Sequence, residues 1–328
     1  MQDVCAGLEA ICLLRRWVAC AGVVMLCLTS LAASGAAPDP ELPSAIYTDP
    51  PSDPEHPASG QGVQFDSHGS LVNAQLYRPP GDGVHPTIVL LHGLPGNEQN
   101  LDLAQAMRRA GWTVISFHYR GSWGSGGKFS LKAGVEDASS LLALLARSPS
   151  AKLWGVDPGR IVLVGHSYGG YVAASAAVGA PQLLGVALIA PWDISFDARD
   201  WGSLSAARRR ATGMASFDDV DGRLTGATAR SLTDDIVREG ADLNLTKLAT
   251  PLAQRRLLLV TATRDTDDDK AIGLMAALSQ ARPEHLTVQL MQTDHNFNDR
   301  RIALQGTLLR WLATLPGAPA LPLSTAER

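Results

Sequence analysis

The chain has 328 residues, 45% of them hydrophobic, and 28 basic against 32 acidic side chains give a net charge of -4. That length and apolar content suit one large domain, or a core domain carrying an insertion. No basic cluster points to nucleic acid, and the one notable basic run, Arg208-Arg209-Arg210, reads as a solvated helix face.

At the N-terminus, Arg15-Arg16 precede an uncharged stretch over 17–33 and then the small residues 34–37. A positive flank, an apolar run and a small-residue patch read as a secretory signal over 1–37, which predicts a secreted or periplasmic protein. The alternative is an uncleaved N-terminal anchor, the one case in which membrane contact is expected. All four cysteines (Cys5, Cys12, Cys20 and Cys27) fall in this segment. The remaining chain therefore needs neither disulfides nor thiolate metal sites. Residues 38–60 hold seven prolines and read as an extended linker without a packed element. Segments 63–66 and 71–77 follow as two strands around a turn that contains His68.

From there the pattern alternates. Apolar runs at 86–91, 113–118, 161–164, 184–190, 257–261 and 286–291 predict strands. Helical patterns cover 98–110, 131–146, 168–178, 270–281 and 299–312. Such alternation implies an α/β domain over 61–315, a mostly parallel sheet with helices on both faces. The connection over 192–251 is too long for a structureless loop and reads as a helical cap, with a helix over 231–248. Residues 316–328, rich in Pro and Ala, read as a flexible tail.

Gly165-His166-Ser167-Tyr168-Gly169 lies between the strand over 161–164 and the helix over 168–178. A serine flanked at two residues on each side by glycine, between strand and helix, is the signature of a nucleophile elbow. A serine hydroxyl needs a base, and the base needs an orienting acid. In this arrangement the chain order is Ser, acid, His. Asp265 follows the strand over 257–261 and His295 follows the strand over 286–291, so Ser167, Asp265 and His295 form the candidate triad. Asp267, Asp268 and Asp269 read as helix-start residues, and Asp294 as too close in sequence to orient His295. Calcium-loop spacing is missing from 265–269. His166 reads as packing beside the elbow, His92 as organising its loop, and His285 as a surface residue. The oxyanion donors are expected from the N–H of Tyr168 and, in the glycine-rich loop His92-Gly93-Leu94-Pro95-Gly96, of Leu94. The loop over 119–129, with glycines at 121, 124, 126 and 127, reads either as a border of the site or as a structural loop. It is no nucleotide fingerprint, because the preceding strand does not open a βαβ unit with an acidic ribose partner.

The stretches Leu91-His-Gly-Leu-Pro-Gly96, Tyr119-Arg-Gly-Ser-Trp-Gly-Ser-Gly-Gly-Lys-Phe129, Gly165–Gly169 and Asp294-His-Asn-Phe297 resemble the α/β-hydrolase fold. Within it they are similar to bacterial serine esterases of the dienelactone-hydrolase and feruloyl-esterase-like kind, and to the prolyl-oligopeptidase catalytic domain. The chain departs from dienelactone hydrolases in having Ser167 in place of a cysteine, and from prolyl oligopeptidases in lacking room for a propeller domain. The resemblance implies a carboxylic ester hydrolase working through an acyl-enzyme, without cofactor or metal, on a small-molecule ester. A serine peptidase acting on short peptides is the alternative, and a non-catalytic binding protein on the same scaffold is the remote one.

Overall fold

The computed structural model describes residues 42–265 and 268–321. The expected signal segment 1–37 lies outside these residues. So do the first four residues of the expected linker and the last seven of the expected tail. Among the described residues no helix is long and apolar enough to cross a membrane.

Eight strands form one sheet in the order β1-β2-β4-β3-β5-β6-β7-β8. In chain order they are Ser59–Ser67, Ser70–Arg78, His85–Leu91, Thr113–Phe117, Val156–His166, Gly185–Ile189, Leu257–Ala262 and Leu286–Met291. β1 and β2 pair antiparallel around a turn in which His68 and Gly69 both have positive φ. β2 meets β4 antiparallel, and from β4 to β8 all pairing is parallel. β4, β6 and β7 are buried along their whole length. A parallel sheet covered on both faces requires this, and it explains why these segments read as unbroken apolar runs.

Alternate side chains feed two cores. Val89, Leu91, Leu163 and Leu188 face α2 (Ala133–Leu145) and α4 (Tyr168–Val178), while Ile88, Leu90, Val162 and Ala187 face α1 (Leu101–Arg109) and α10 (Arg301–Ala313). Two further helices of the body, α3 (Ser148–Leu153) and α9 (Asp268–Ala281), precede β5 and β8. From β3 the chain steps to β4 on one side, and β5 lies on the other. The strand order therefore reverses between β3 and β5, and the crevice beyond their carboxyl ends is where such sheets bind ligands.

Between β6 and β7 the chain builds the cap from α5 (Ile194–Ser203), α6 (Ala206–Ser216) and α7 (Ala229–Glu239), then returns through the short α8 (Ala249–Leu252). The helix expected over 231–248 is shorter: α7 ends at Glu239, and two 3₁₀ turns, Gly240–Asp242 and Thr246–Leu248, follow. In the Arg208–Arg210 run, Arg208 and Arg210 are exposed. Arg209 instead donates to the carbonyls of Trp201, Gly202 and Leu204, closing the carboxyl end of α5.

Two segments expected to be unpacked are docked. Within the expected linker, a 3₁₀ turn at Ser44–Ile46 buries Ala45 and accepts hydrogen bonds from Arg109 at the Ala45 and Ile46 carbonyls. β1 also begins at Ser59, inside the 38–60 segment. In the tail, Ala318 and Leu321 pack on the second core, and the Gly317 carbonyl accepts from Arg160. Proline content sets chain stiffness, but it does not report whether a distant arginine will satisfy the carbonyls.

One buried ion pair joins the outer hairpin to the glycine-rich loop after β4. Asp137 is fully buried on α2 and accepts from Arg120 Nε at 2.6 Å, Arg120 N at 2.8 Å and Ser67 Oγ at 2.6 Å. Arg120 also pairs with Glu136. Removing Asp137 leaves Arg120 paired with Glu136 alone and takes the acceptor from Arg120 N–H and Ser67 Oγ, at a cost of about 1–3 kcal/mol for each buried group left unpaired. Urea unfolding of Asp137→Ala should show a loss in that range, and a loss below ~1 kcal/mol would contradict the role assigned to this pair.

Candidate active site

At the carboxyl end of β5 the chain turns into α4 within a residue or two. Ser167 occupies that turn with φ 56° and ψ -121°, a conformation that L-residues rarely adopt. Holding a non-glycine residue there costs on the order of 1–3 kcal/mol. The neighbours explain why both flanking positions are glycine. A Cβ on Gly165 would lie 2.0 Å from the Gly169 carbonyl oxygen, and one on Gly169 would lie 2.1 Å from that of Leu91. Main-chain bonds fix the turn: Ser167 N–H donates to Ile189, and the Ser167 carbonyl accepts from Gly170, Tyr171 and Trp192.

The loop after β3 lies against this elbow. A Cβ on Gly93 would sit 3.0 Å from Ser167 Cβ, which places the Leu94 peptide beside the serine. Leu94 N–H has no backbone acceptor among the described residues. Tyr168 N–H is the first of α4 and has no partner within the helix. Three contacts hold the loop in place. Tyr119 Oη donates to the His92 carbonyl at 2.9 Å, Trp123 Nε1 donates to the Pro95 carbonyl at 2.6 Å, and His92 Nδ1 donates to the Gly93 carbonyl at 2.7 Å. Tyr119 and Trp123 belong to the glycine-rich loop over 119–129, so this loop supports the site.

His295 Nδ1 lies 2.5 Å from Asp265 Oδ2, with Asp265 nearly buried and His295 partly open. An ionised carboxylate only accepts, so this bond fixes the proton on Nδ1 and leaves the Nε2 lone pair free to act as a base. His295 and Ser167 open onto the same cavity. A second set of bonds clamps the two loops together. Arg264 N–H donates to the Thr293 carbonyl, and Asp299 accepts from Thr293 Oγ1 at 2.5 Å and from Arg264 Nη2 at 2.7 Å. The hydrogen bonds from Thr293 and Arg264 hold the Asp299 carboxyl down at about 2. This clamp joins residues 35 apart, and no local sequence pattern announces it.

The other candidates lie elsewhere. Asp294 accepts from Asn298 N and Nδ2 and braces the turn after His295. His285 is exposed at the start of β8. Asp268 opens α9, and Asp267 lies outside the described residues. Among the described residues no group of three or more His, Cys, Asp or Glu could hold a metal ion. His166 does more than pack: its Nε2 donates to the His295 carbonyl at 2.9 Å, tying the His295 loop to the elbow.

The cavity above Ser167 and His295 measures about 360 Å³ and is roofed by the cap. Its lining includes Leu94 and Pro95 from the loop after β3, and Trp192, Asp197, Trp201, Phe217 and Asp219 from the cap segment. None of these five was singled out as a site residue from sequence. They come from separate turns and helices, and only folding brings them together.

A serine on a strained strand-to-helix turn, a His–Asp pair at the ends of the following strands, and this sheet order define a lineage. The chain belongs to the α/β-hydrolase family. The family model matches residues 88–304, most of the described domain and all of the site, and by that membership the protein is a hydrolase. The quorum-quenching protein AidA of Acinetobacter baumannii (strain MDR-ZJ06) is 37% identical over 128 residues, 37% of this chain and 40% of that protein. The match thus spans well under half of that relative's length. Among solved structures, the DcsB complex with its substrate analogue superposes with a TM-score of 0.60 at 16% identity, over 77% of this chain and 98% of that one. Brefeldin A esterase, a bacterial homologue of human hormone-sensitive lipase, gives 0.55 at 17% identity over 81% and 79%. A Pyrobaculum calidifontis esterase gives 0.55 at 20% identity over 78% and 86%. At these identities the structural likeness establishes the α/β-hydrolase fold alone.

Two buried histidines make the stability of this hydrolase depend on pH. Burial lowers His92 to about 4 and His166 to about 3, against an ordinary 6.5. Below pH ~6.5 the unfolded imidazoles take up protons that the folded ones refuse until about pH 4 and 3. Stability is therefore lost as the pH falls through that window, by up to ~1.4 kcal/mol per pH unit for each histidine. Above it neither contributes a slope. Urea unfolding between pH 7.5 and 5 should show this trend, with a shallower slope in His92→Asn. An unchanged slope in that variant would contradict the assignment.

Proposed function

We propose that the protein is a serine hydrolase of carboxylic esters. The observation that carries this reading is the 2.5 Å pairing of His295 with Asp265 beside the cavity that Ser167 opens onto. In the proposed cycle Ser167 Oγ attacks the acyl carbon while its proton passes to His295 Nε2. The imidazolium is stabilised by Asp265, and the negative charge on the carbonyl oxygen is met by the N–H groups of Leu94 and Tyr168. His295 returns the proton to the departing alcohol, and an acyl-Ser167 ester remains. Water, deprotonated by His295, then attacks that ester, releases the acid and restores Ser167.

Esters are favoured over amides on the support of the sequence resemblance and of the esterases among the structural neighbours. The part of AidA that matches is too small to carry its quorum-quenching role across. The peptidase alternative draws on the same four stretches, with Tyr168-Gly-Gly-Tyr171 nearest to it, and on acyl transfer to water using the same groups for amides.

A fluorophosphonate probe should label the folded protein at Ser167, and Ser167→Ala should abolish labelling. Hydrolysis of p-nitrophenyl esters should fall by at least ~10⁴-fold in that variant, as the loss of a triad nucleophile does elsewhere. Aminoacyl-anilides should be turned over far more slowly than the esters. Turnover of both at comparable rates would favour the peptidase, and absence of labelling would contradict a serine mechanism.

A further inference from the structure

We propose that the cap selects esters that carry a cationic ammonium group, a specificity that rests on the serine-hydrolase reading above. The argument begins with what lines the cavity. Trp192, Trp201 and Phe217 supply three aromatic rings, and Asp197 and Asp219 supply two carboxylates. Among the described residues that line it there is no lysine or arginine. The rings do not stack. Phe217 lies 6.1 Å from Trp192 with planes inclined at 60°, and 5.9 Å from Trp201 at 77°. An aromatic lining of this kind is a surface on which alkylammonium groups can be held through cation–π attraction.

The carboxylates make the choice between a neutral and a charged occupant. An apolar group filling this cavity would strip water from Asp219 and give nothing in return, whereas a cation replaces that water with a direct attraction. Asp219 sits on the segment between α6 and α7. Its Oδ2 accepts from Asn97 Nδ2 at 2.6 Å, a neutral donor that orients the carboxylate without cancelling its charge. Nearby Arg223 donates to the main-chain carbonyl of Asp219 and does not line the cavity. Asp197 accepts from Trp192 Nε1 at 2.6 Å and so fixes the angle of one aromatic wall. The other cap arginines lie elsewhere: Arg199 sits over the Phe196 ring, Arg208 is exposed, Arg209 closes α5, Arg210 and Arg230 line a separate cleft with Asp234, and Arg238 pairs with Asp235 and Glu239. At about 360 Å³ the cavity has room for a compact ester with a small alkylammonium head.

The test compares isosteres that differ by carbon for nitrogen. Acetylcholine and 3,3-dimethylbutyl acetate are offered as substrates, and choline and 3,3-dimethylbutanol are titrated against intrinsic tryptophan fluorescence. Choline should bind at least ~10-fold more tightly than its neutral twin, and kcat/KM should favour the cationic ester by a similar factor. In Asp219→Asn both ratios should fall towards one. Equal binding of the twins by the native protein, or a preference that survives Asp219→Asn, would overturn the proposal. Binding preference without ester turnover or fluorophosphonate labelling would keep the cation site and reject the hydrolase reading. Labelling and ester turnover without the preference would do the reverse.

Discussion

At the end of β5 a strand becomes a helix with no intervening loop, and the space for that crossing is smaller than any side chain. Gly165 and Gly169 face one another and the Leu91 carbonyl at distances that exclude a Cβ. The serine between them is left with positive φ and its side chain pushed out of the sheet. The surrounding fold maintains this strained turn. β5 is central, with β3 and β6 on either side, and its final residues are buried. α4 is built largely of small residues (Gly169, Gly170, Ala173, Ala174, Ala176 and Ala177), so it can lie close on the sheet. Because a packed core is not freely deformable, a turn held this way has one geometry, and catalytic donors arranged around it require little reorganisation.

The other parts of the site are referred to that turn by polar contacts. The loop after β3 is pressed against Ser167 at Gly93 and held from behind by Tyr119 and Trp123. The His295 loop is tied to the elbow through His166 and to the Asp265 turn through Arg264 and Asp299. The cap is joined to the same framework. Gly121 and Thr225 exchange one main-chain bond, Thr225 accepts another from Phe129, and Asn97 bonds Asp219. The loop over 119–129 therefore reaches the loop after β3 on one side and the cap on the other. A change in that loop would affect both the cavity and the N–H groups proposed to meet the developing charge.

What was legible in the sequence follows from range. Strands buried on both faces, such as β4, β6 and β7, read as apolar runs. The elbow is a five-residue pattern, and Asp265 and His295 could be placed because each follows a recognisable strand. Their approach to 2.5 Å is supplied by the fold. Pairings across long stretches of chain were not legible. Arg120 with Asp137, Arg264 with Asp299, and Asn97 with Asp219 are polar residues of ordinary composition whose partners are chosen by topology. The cavity walls were hidden for the same reason, since Trp192, Trp201 and Phe217 converge only after the cap has folded. The docked turn at Ser44–Ile46 was hidden by proline content, which describes the chain before it finds Arg109.

The account depends on Ser167 forming a covalent bond to the acyl group. Rapid mixing of the protein with excess p-nitrophenyl acetate, quenched in acid and followed by peptide mass spectrometry, observes that bond directly. The expected result is a burst of nitrophenolate close to one equivalent per active site, with a single acetyl group on the peptide that contains Ser167. Steady turnover by the native protein at saturating ester with no burst and every acid-quenched peptide unmodified would contradict it.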